Sequence, residues 1–253
     1  MKKKPTIGIF KFTGCAGCQL ELLHLEDVFI NLLDSVDITY WVMVKRENID
    51  GPWDISFVEG GVSTPEEIEE IKDIRKKSKL VVAFGDCAVS GCIPSIRNWI
   101  PQMEAEQCVY PDTSAIHSTK VLGIGEYIKV DMVLKGCPPH RENIIEVIKA
   151  SLLNIRPRLR QHPVCMECKL KDNACLLISK KLPCMGPVTA AGCGALCPSL
   201  NRICEGCYGP MSNPNTSSLA DVFRKLGYSE EDITRKFRKY AGMATDFRKE
   251  AGD

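Results

Sequence analysis

Cysteine is the residue type that could carry chemistry in this sequence, because 14 of the 253 residues are cysteines. Eight of them lie in one short run between positions 165 and 207, which has no long apolar stretch and neither helical nor strand periodicity. A segment that cannot bury a core of its own needs a metal or a disulfide to hold it together. In a reducing compartment clustered thiols bind metal more often than they form disulfides. The run therefore predicts metal–thiolate chemistry.

These eight cysteines divide in chain order into two sets of four. The first set is Cys165, Cys168, Cys175 and Cys184, and the second set is Cys193, Cys197, Cys204 and Cys207. Zinc ribbons prefer two C-x2-C pairs with a longer spacer, whereas each set here has one such pair. The proline after Cys197 and the glycines around 192–194 are typical of iron–sulfur loops. The spacing favours iron–sulfur clusters over zinc. His162 is interpreted as a solvated loop residue, since four cysteines already complete the neighbouring set.

Four further cysteines follow segments that are predicted to be strands. Apolar runs predict strands over 5–12, 37–44, 53–58, 79–84 and 127–134, and apolar spacing or capping residues predict helices over 19–33, 63–77 and 141–155. Cys15 and Cys18 follow the first of these strands, Cys87 the fourth and Cys137 the last.

The alternation of strands and helices predicts an open, mostly parallel α/β sheet. Short right-handed connections place the carboxyl ends of its strands on one edge, where ligands bind in such folds. We therefore expect the four cysteines that follow strands to converge there as a metal-binding set. Cys92 lies close to Cys87 in the sequence and competes for its role. Residues 90–120 are interpreted as an irregular segment outside the strand–helix pattern. Cys108, which lies in this segment, is interpreted as a packing residue.

Composition excludes several other functions. The formal net charge is +1, so nothing predicts a nucleic-acid partner. The sequence has neither a P-loop nor a dinucleotide-binding glycine motif, so we expect no flavin or nicotinamide site on this chain. Because no run approaches about 18 apolar residues, no membrane span is expected. The lysines near the N-terminus precede no long apolar region, and we expect a cytoplasmic protein.

Several motifs together resemble those of one family. C-A-G-C at 15–18, G-D-C-A at 85–88 and G-C-P-P at 136–139 resemble the proximal-cluster site of [NiFe]-hydrogenase small subunits. The later P-C-M-G-P-V-T-A-A-G-C-G-A-L-C-P and I-C-E-G-C resemble the small subunits of cytoplasmic, multimeric hydrogenases, among them the delta subunits of archaeal sulfhydrogenases. The resemblance covers about residues 5–210. It implies a flavodoxin-like domain and then a small, irregular cysteine-rich iron–sulfur domain. The charged tail with its apolar face predicts a C-terminal helix after them.

The resemblance also implies which cysteines bind which cluster. Cys15, Cys18, Cys87 and Cys137 would bind a proximal cluster, Cys193, Cys197, Cys204 and Cys207 a medial one, and Cys165, Cys168, Cys175 and Cys184 a distal one. Many periplasmic relatives have a histidine at the distal site and a medial proline. This chain has eight cysteines instead, so three [4Fe-4S] clusters are expected. Periplasmic relatives also carry a twin-arginine signal, which this sequence lacks.

By the same resemblance the nickel–iron centre lies on a separate large subunit, so this chain is expected to have no catalytic residue. The second expected partner is a flavin-bearing or ferredoxin-type subunit that accepts the electrons, and the assembly would oxidise H2 reversibly. The expected domains are 1–157, 158–215 and a helical tail over 216–253. Glu59, at the end of the third strand, is a candidate for the cluster edge or a partner interface; a solvated turn acid is the alternative.

Three alternatives remain open on the sequence. The chain fits the same subunit of a coenzyme F420-reducing hydrogenase, or of one coupled to heterodisulfide reductase. A zinc-stapled structural or binding module without a redox role is the alternative from another class.

The tail has an apolar face that includes Leu219 and Phe223, which would pack either on this chain or on a partner.

Overall fold

The computed structural model describes residues 4–252, and within them the chain forms two compact units. The first unit ends at Pro157 and the second begins at Arg158. Each unit contains its own cysteines: those that follow predicted strands are in the first, and the run from Cys165 to Cys207 is in the second.

The described part of the first unit is built on a five-stranded parallel sheet. Its strands are β1 (Thr6–Lys11), β2 (Asp37–Tyr40), β3 (Trp53–Glu59), β4 (Ser78–Phe84) and β5 (Met132–Leu134), in the order β2-β1-β3-β4-β5. This is the strand order of flavodoxin-like folds, in which ligands bind near β1 and β3 where the direction of winding reverses. The predicted fold class is confirmed.

Helices cover the sheet and follow its strands. They are α1 (Gly17–Leu23), α2 (Asp27–Leu33), α3 (Pro65–Lys77), α4 (Asp86–Ser90), α5 (Gln102–Gln107) and α6 (Arg141–Leu153), with 3-10 turns over Ile93–Trp99 and Ile124–Glu126. The start of α3 is set by Thr64, whose hydroxyl accepts a hydrogen bond from the Glu67 N–H. The segment 19–33 differs from the single helix expected, because Glu26 adopts a left-handed φ of 53° between α1 and α2.

Two predicted strands are shorter in the structure. The strand expected over 127–134 begins only at Met132, because Tyr127, Ile128 and Val130 pack against the core from outside the sheet. The strand expected over 37–44 ends at Tyr40. The apolar residues of 127–130 are partly buried without sheet hydrogen bonds, whereas Val42, Met43 and Val44 are exposed, so that apolar run does not mark a buried strand.

The register of the sheet aligns the last residues of four neighbouring strands. Lys11 pairs with Glu59, Glu59 with Phe84, and Phe84 with Leu134. Fully buried apolar side chains on β3 and β4, such as Val58 and Val82, fix this register against the core. The loops that leave β1, β3, β4 and β5 therefore begin at the same edge.

The second unit contains short helices. They are α7 (Val164–Leu170), α8 (Leu176–Ser179), α9 (Leu196–Ser199), α10 (Thr216–Lys225), α11 (Glu230–Arg238) and α12 (Thr245–Ala251). The tail is helical, as expected, and its described part divides into three helices. The first of these ends before Gly227, and Ser229 and Asp232 form a capping box that starts the next.

The tail helices bury their apolar faces within the second unit, where Phe223, Phe237 and Phe247 are almost completely inaccessible to solvent. Among residues 4–252 no helix is both long enough and apolar enough to cross a membrane.

Candidate metal centres

The first candidate centre lies at the carboxyl edge of the sheet. Cys15 is in the loop after β1 and is exposed, whereas Cys18 is buried at the start of α1. Cys87 lies in α4 directly after β4, and Cys137 follows β5; both are partly buried. Burial, then the Glu59 carboxylate, and then Cys87 and Cys137 raise the pKa of the Cys18 thiol. The structure therefore brings cysteines from three separate loops into one neighbourhood.

The raised pKa of the Cys18 thiol has a simple meaning at such a site. Several thiolates cannot share a buried neighbourhood without a positive charge among them, because desolvation and mutual repulsion disfavour the ionised form. Metal ions supply that charge and bind thiolates. The donor set of Cys15, Cys18, Cys87 and Cys137 thus fits a metal–thiolate centre.

Glycine backbone makes room for the sulfur atoms at this edge. Gly85 has a φ of +85°, and a Cβ atom built on it would lie 2.2 Å from the Sγ atom of Cys18. A Cβ atom on Gly17 would lie 3.2 Å from the Sγ atom of Cys15, and the Gly17 N–H points to that sulfur at 3.4 Å. Side chains at these two positions would occupy the space beside the donors.

Glu59 lies inside this centre. Its side chain is 2% exposed, and its Oε1 atom accepts a hydrogen bond from the backbone N–H of Cys18 at 3.1 Å. Its Oε2 atom has no hydrogen-bond partner among the described residues, and burial raises the pKa of the carboxyl. The alternative of a solvated turn acid is therefore wrong, since Glu59 lies against the cysteine loop.

Two buried residues beside the centre were not among the predicted site residues. Cys92 is completely buried, and hydrogen bonds with Cys137 and Cys87, followed by burial, raise the pKa of its thiol. In the sequence, only its closeness to Cys87 indicated that Cys92 could belong to this centre. Asp86 is 1% exposed, and burial raises the pKa of its carboxyl to about 6. Cys108, which was expected to pack in the core, is exposed.

The first set of the second unit is gathered by α7. Cys165 and Cys168 lie one turn apart on that helix, Cys175 caps the start of α8, and Cys184 follows in the next loop. Burial, then the proximity of Cys184, Cys168 and Cys175, raises the pKa of Cys165 to about 11. The structure thus brings the four members of this set together.

The second set adjoins the first. Burial raises the pKa of Cys193, whose neighbours include Cys197, and burial also raises that of Cys204, whose neighbours include Cys184 and Cys207. The backbone N–H of Cys204 points to the Sγ atom of Cys184 at 3.3 Å. The two sets are therefore contiguous. The N–H groups that face these sulfurs are the hydrogen bonds that commonly tune iron–sulfur clusters.

The arrangement of donors differs from that around a single ion. In the described residues no three His, Cys, Asp or Glu side chains are close enough together to hold one metal ion. A cubane cluster takes each thiolate at a different iron, so its donors surround a larger volume. The absence of a single-ion site among the described residues therefore does not exclude a cluster at these sets. His162 is partly buried, and its Nδ1 atom lies 3.2 Å from the carbonyl oxygen of Pro163.

Glu205 lies between Cys204 and Cys207 and joins this loop to the tail. Lys236 of α11 and Lys239, the residue that caps the C-terminal end of this helix, donate to its Oε2 atom at 2.9 and 3.0 Å. Although burial opposes them, these hydrogen bonds lower the pKa of Glu205. The C-terminal end of α11 is therefore anchored to the loop of the second set. A lone glutamate inside a cysteine motif gave no sequence signal for this contact.

Comparison with known proteins agrees with the cysteine pattern. Residues 15–151 match the family described as NADH ubiquinone oxidoreductase, 20 Kd subunit. The chain is 34% identical to sulfhydrogenase 2 subunit delta of Pyrococcus furiosus over 93% of this chain and 98% of that protein. It is 33% identical to a subunit of the F420-non-reducing hydrogenase vhu of Methanocaldococcus jannaschii, over 91% of each chain.

A solved structure of an NAD+-reducing [NiFe]-hydrogenase in its H2-reduced state contains a similar chain. The two are 26% identical, with a TM-score of 0.55, over 62% of this chain and 95% of that one. The predicted resemblance to [NiFe]-hydrogenase small subunits is confirmed. The chain belongs to the family of the NADH ubiquinone oxidoreductase 20 Kd subunit, and the relatives that it matches over almost its whole length are hydrogenase subunits.

Proposed function

We propose that the chain is the electron-transfer small subunit of a cytoplasmic [NiFe]-hydrogenase. In this proposal it carries electrons through three [4Fe-4S] clusters, between a nickel–iron large subunit and a flavin-bearing or ferredoxin-type subunit. The observation that carries the proposal is the sheet register, which aligns the ends of β1, β3, β4 and β5 and so gathers Cys15, Cys18, Cys87 and Cys137 at one edge. The hydrogenase names of its relatives support the same role.

The residues of the chain would supply three things to such clusters. The thiolates of Cys15, Cys18, Cys87 and Cys137, and of the two later sets, would hold the iron. Backbone N–H groups directed at sulfur, such as that of Cys204 toward Cys184, would favour the reduced state by stabilising added negative charge. Burial of Cys18 and Cys204 would exclude water from one side of each centre. When bound, an iron–sulfur cluster exchanges single electrons.

The exposure of Cys15 supports an interface at the first centre. It contrasts with the burial of Cys18 in the same motif, so this site opens to the surface at one side. A large subunit that covers this opening would meet the first centre directly. The later sets would then deliver electrons to the accepting subunit.

The relatives act with different electron acceptors by name, among them NAD+ for the solved structure. The proposal therefore defines the second partner by its chemistry, as a subunit with a flavin or a further cluster. Roles in an F420-reducing or a heterodisulfide-reductase-coupled hydrogenase use the same residues in the same way.

The test is to isolate the native complex without oxygen, identify its subunits, and measure metal, acid-labile sulfide and H2 uptake with several acceptors. We expect the iron and acid-labile sulfide beyond those of the partner subunits to come to about twelve of each per chain, on four of each per cubane cluster. We also expect a nickel-containing partner and acceptor-dependent H2 uptake. Zinc in place of iron, without visible absorbance, would support the zinc-stapled module and overturn the proposal.

A further inference from the structure

The second unit contains a buried carboxylate at an unusual place. Glu167 lies between Cys165 and Cys168 on α7, and its side chain is 2% exposed. Glutamate is almost never buried so completely unless it is paired. Its neighbours on the helix are two members of the first cysteine set, but its carboxylate forms hydrogen bonds with the loop of the second set.

Both oxygen atoms of Glu167 bind the loop of the second set. Oε1 accepts a hydrogen bond from the Gly192 N–H and Oε2 accepts one from the Ala195 N–H, each at 3.1 Å. These two residues lie on either side of Cys193. Oε1 also forms an ion pair with the guanidinium of Arg160, whose side chain is about half exposed. One side chain of the first set thus holds the backbone that presents the first cysteine of the second set.

The contact is electrostatic as well as mechanical. The carboxylate of Glu167 is bonded to backbone N–H groups on both sides of Cys193, so its negative charge lies beside that cysteine. A negative charge beside a cluster ligand disfavours the addition of an electron to that cluster. Arg160, whose side chain is 53% exposed, offsets that charge in part.

We propose that Glu167 is a positioning residue that fixes the Cys193 loop to α7 and lowers the reduction potential of the centre held by Cys193, Cys197, Cys204 and Cys207, while Arg160 moderates that effect. The inference rests on the proposed function, because it requires a cluster on the second set.

Two variants separate charge from position. Glu167→Gln keeps one carbonyl oxygen that can accept an N–H but removes the charge. Arg160→Gln keeps the carboxylate and both N–H bonds but removes the balancing cation. Glu231→Gln is the matched control, because Glu231 forms an exposed pair with Arg235 on α11 in the same unit. The complex is purified anaerobically, its iron is counted, and each centre is titrated by EPR at controlled potential. The centre that disappears in Cys193→Ser identifies the second set.

We expect the potential of that centre to rise in Glu167→Gln and to fall in Arg160→Gln, with Glu231→Gln unchanged. A role limited to stabilising the fold would not give shifts of opposite sign. Shifts of the same sign, or a second-set potential in Glu167→Gln equal to that in the control, would overturn the inference. If Glu167→Gln gives no folded complex, the test is the potential of the second-set centre in Arg160→Gln. An unchanged potential in that variant also overturns the inference.

The same measurements separate this inference from the proposed function. A wild-type complex without iron would overturn the proposed function before any variant is compared. A wild-type complex with three titrating centres, none of which responds to Glu167 or Arg160, would leave the proposed function standing and reject the role of Glu167.

Discussion

The carboxylate of Glu59, the last residue of β3, accepts a hydrogen bond from the backbone N–H of Cys18, the second residue of α1. This bond joins a buried strand end to the loop that carries two of the four cysteines at the sheet edge. It holds the start of α1, a helix whose N-terminus has no side-chain cap of its own. The position of Cys18 therefore depends on a residue 41 positions away in the sequence.

Replacement of Glu59 tests this dependence. Glu59→Ala leaves the buried N–H of Cys18 unpaired, which costs about 1–3 kcal/mol. Glu59→Gln retains an oxygen acceptor and should lose less. We expect Glu59→Ala to unfold at a lower temperature and to bind less iron than Glu59→Gln. Thermal unfolding and iron analysis of the anaerobically purified chain measure both. Equal behaviour of the two variants would show that the bond does not position Cys18.

The same pair predicts a pH dependence. Because burial raises the pKa of Glu59, the native state binds its proton more tightly than the unfolded state does. Ionisation of Glu59 therefore removes stability as the pH rises through its folded pKa. Over a pH series that starts at the ordinary glutamate pKa of 4.5, we expect the stability of Glu59→Gln relative to the native chain to increase with pH. Thermal midpoints across this series test it, and a constant difference would contradict it.

Gly85 should tolerate no side chain. Its φ of +85° disfavours any residue with a Cβ atom, and that atom would lie 2.2 Å from the Sγ of Cys18. We expect Gly85→Ala to lose about four iron atoms per chain, the content of one cubane cluster. Gly125→Ala is the matched control, because a Cβ atom there meets no atom within 4 Å among the described residues. Iron retained in Gly85→Ala would show that the loop relaxes around the added methyl group.

Cys92 and Cys87 should respond differently to substitution. Cys87→Ala removes a proposed ligand, and we expect it to lose about four iron atoms. Cys92→Ala removes a completely buried thiol that hydrogen-bonds to Cys137 and Cys87, so it should lower stability by about 1 kcal/mol while the iron remains. Iron analysis and EPR spectra of both variants check this. The reverse result would make Cys92 the ligand from this part of the chain.

Removal of the metal should affect the two units unequally. The first unit has a sheet with a buried core, whereas residues 158–215 contain only helices of four to seven residues among those described. Isolated helices of that length are unstable in water. We expect chelation under oxidising conditions to abolish hydrogen-exchange protection across 158–215 and to leave most of it in β3 and β4. Equal loss in both units would contradict a stapling role.

The sheet and the cysteines at its edge could be predicted from the sequence because their signals are local. Apolar β-rich runs mark β1, β3 and β4, and parallel connections put their carboxyl ends together. The cysteines that follow them therefore converge in any register that buries the apolar side chains. The family resemblance depends on the same local motifs.

Other features depend on distant contacts that no local pattern encodes. Glu59 is as polar as a solvated acid, and only the packing of α1 against the end of β3 shows that it is buried. The break at Glu26 lies in an otherwise helical run and follows from the left-handed φ of one residue. The bonds of Glu167 to the Cys193 loop depend on how two loops fold against each other.

The contact of Glu205 with α11 also has a consequence for the order of events during synthesis. Lys236 is 31 residues beyond Glu205 in the chain, so Cys204 and Cys207 emerge from the ribosome before α11 can emerge and contact them. Since chains emerge from the N-terminus, the sheet edge and its four cysteines can be complete while this last loop is still unsupported. Maturation is therefore expected to proceed along the chain, with the Cys204–Cys207 loop secured only after translation has passed α11.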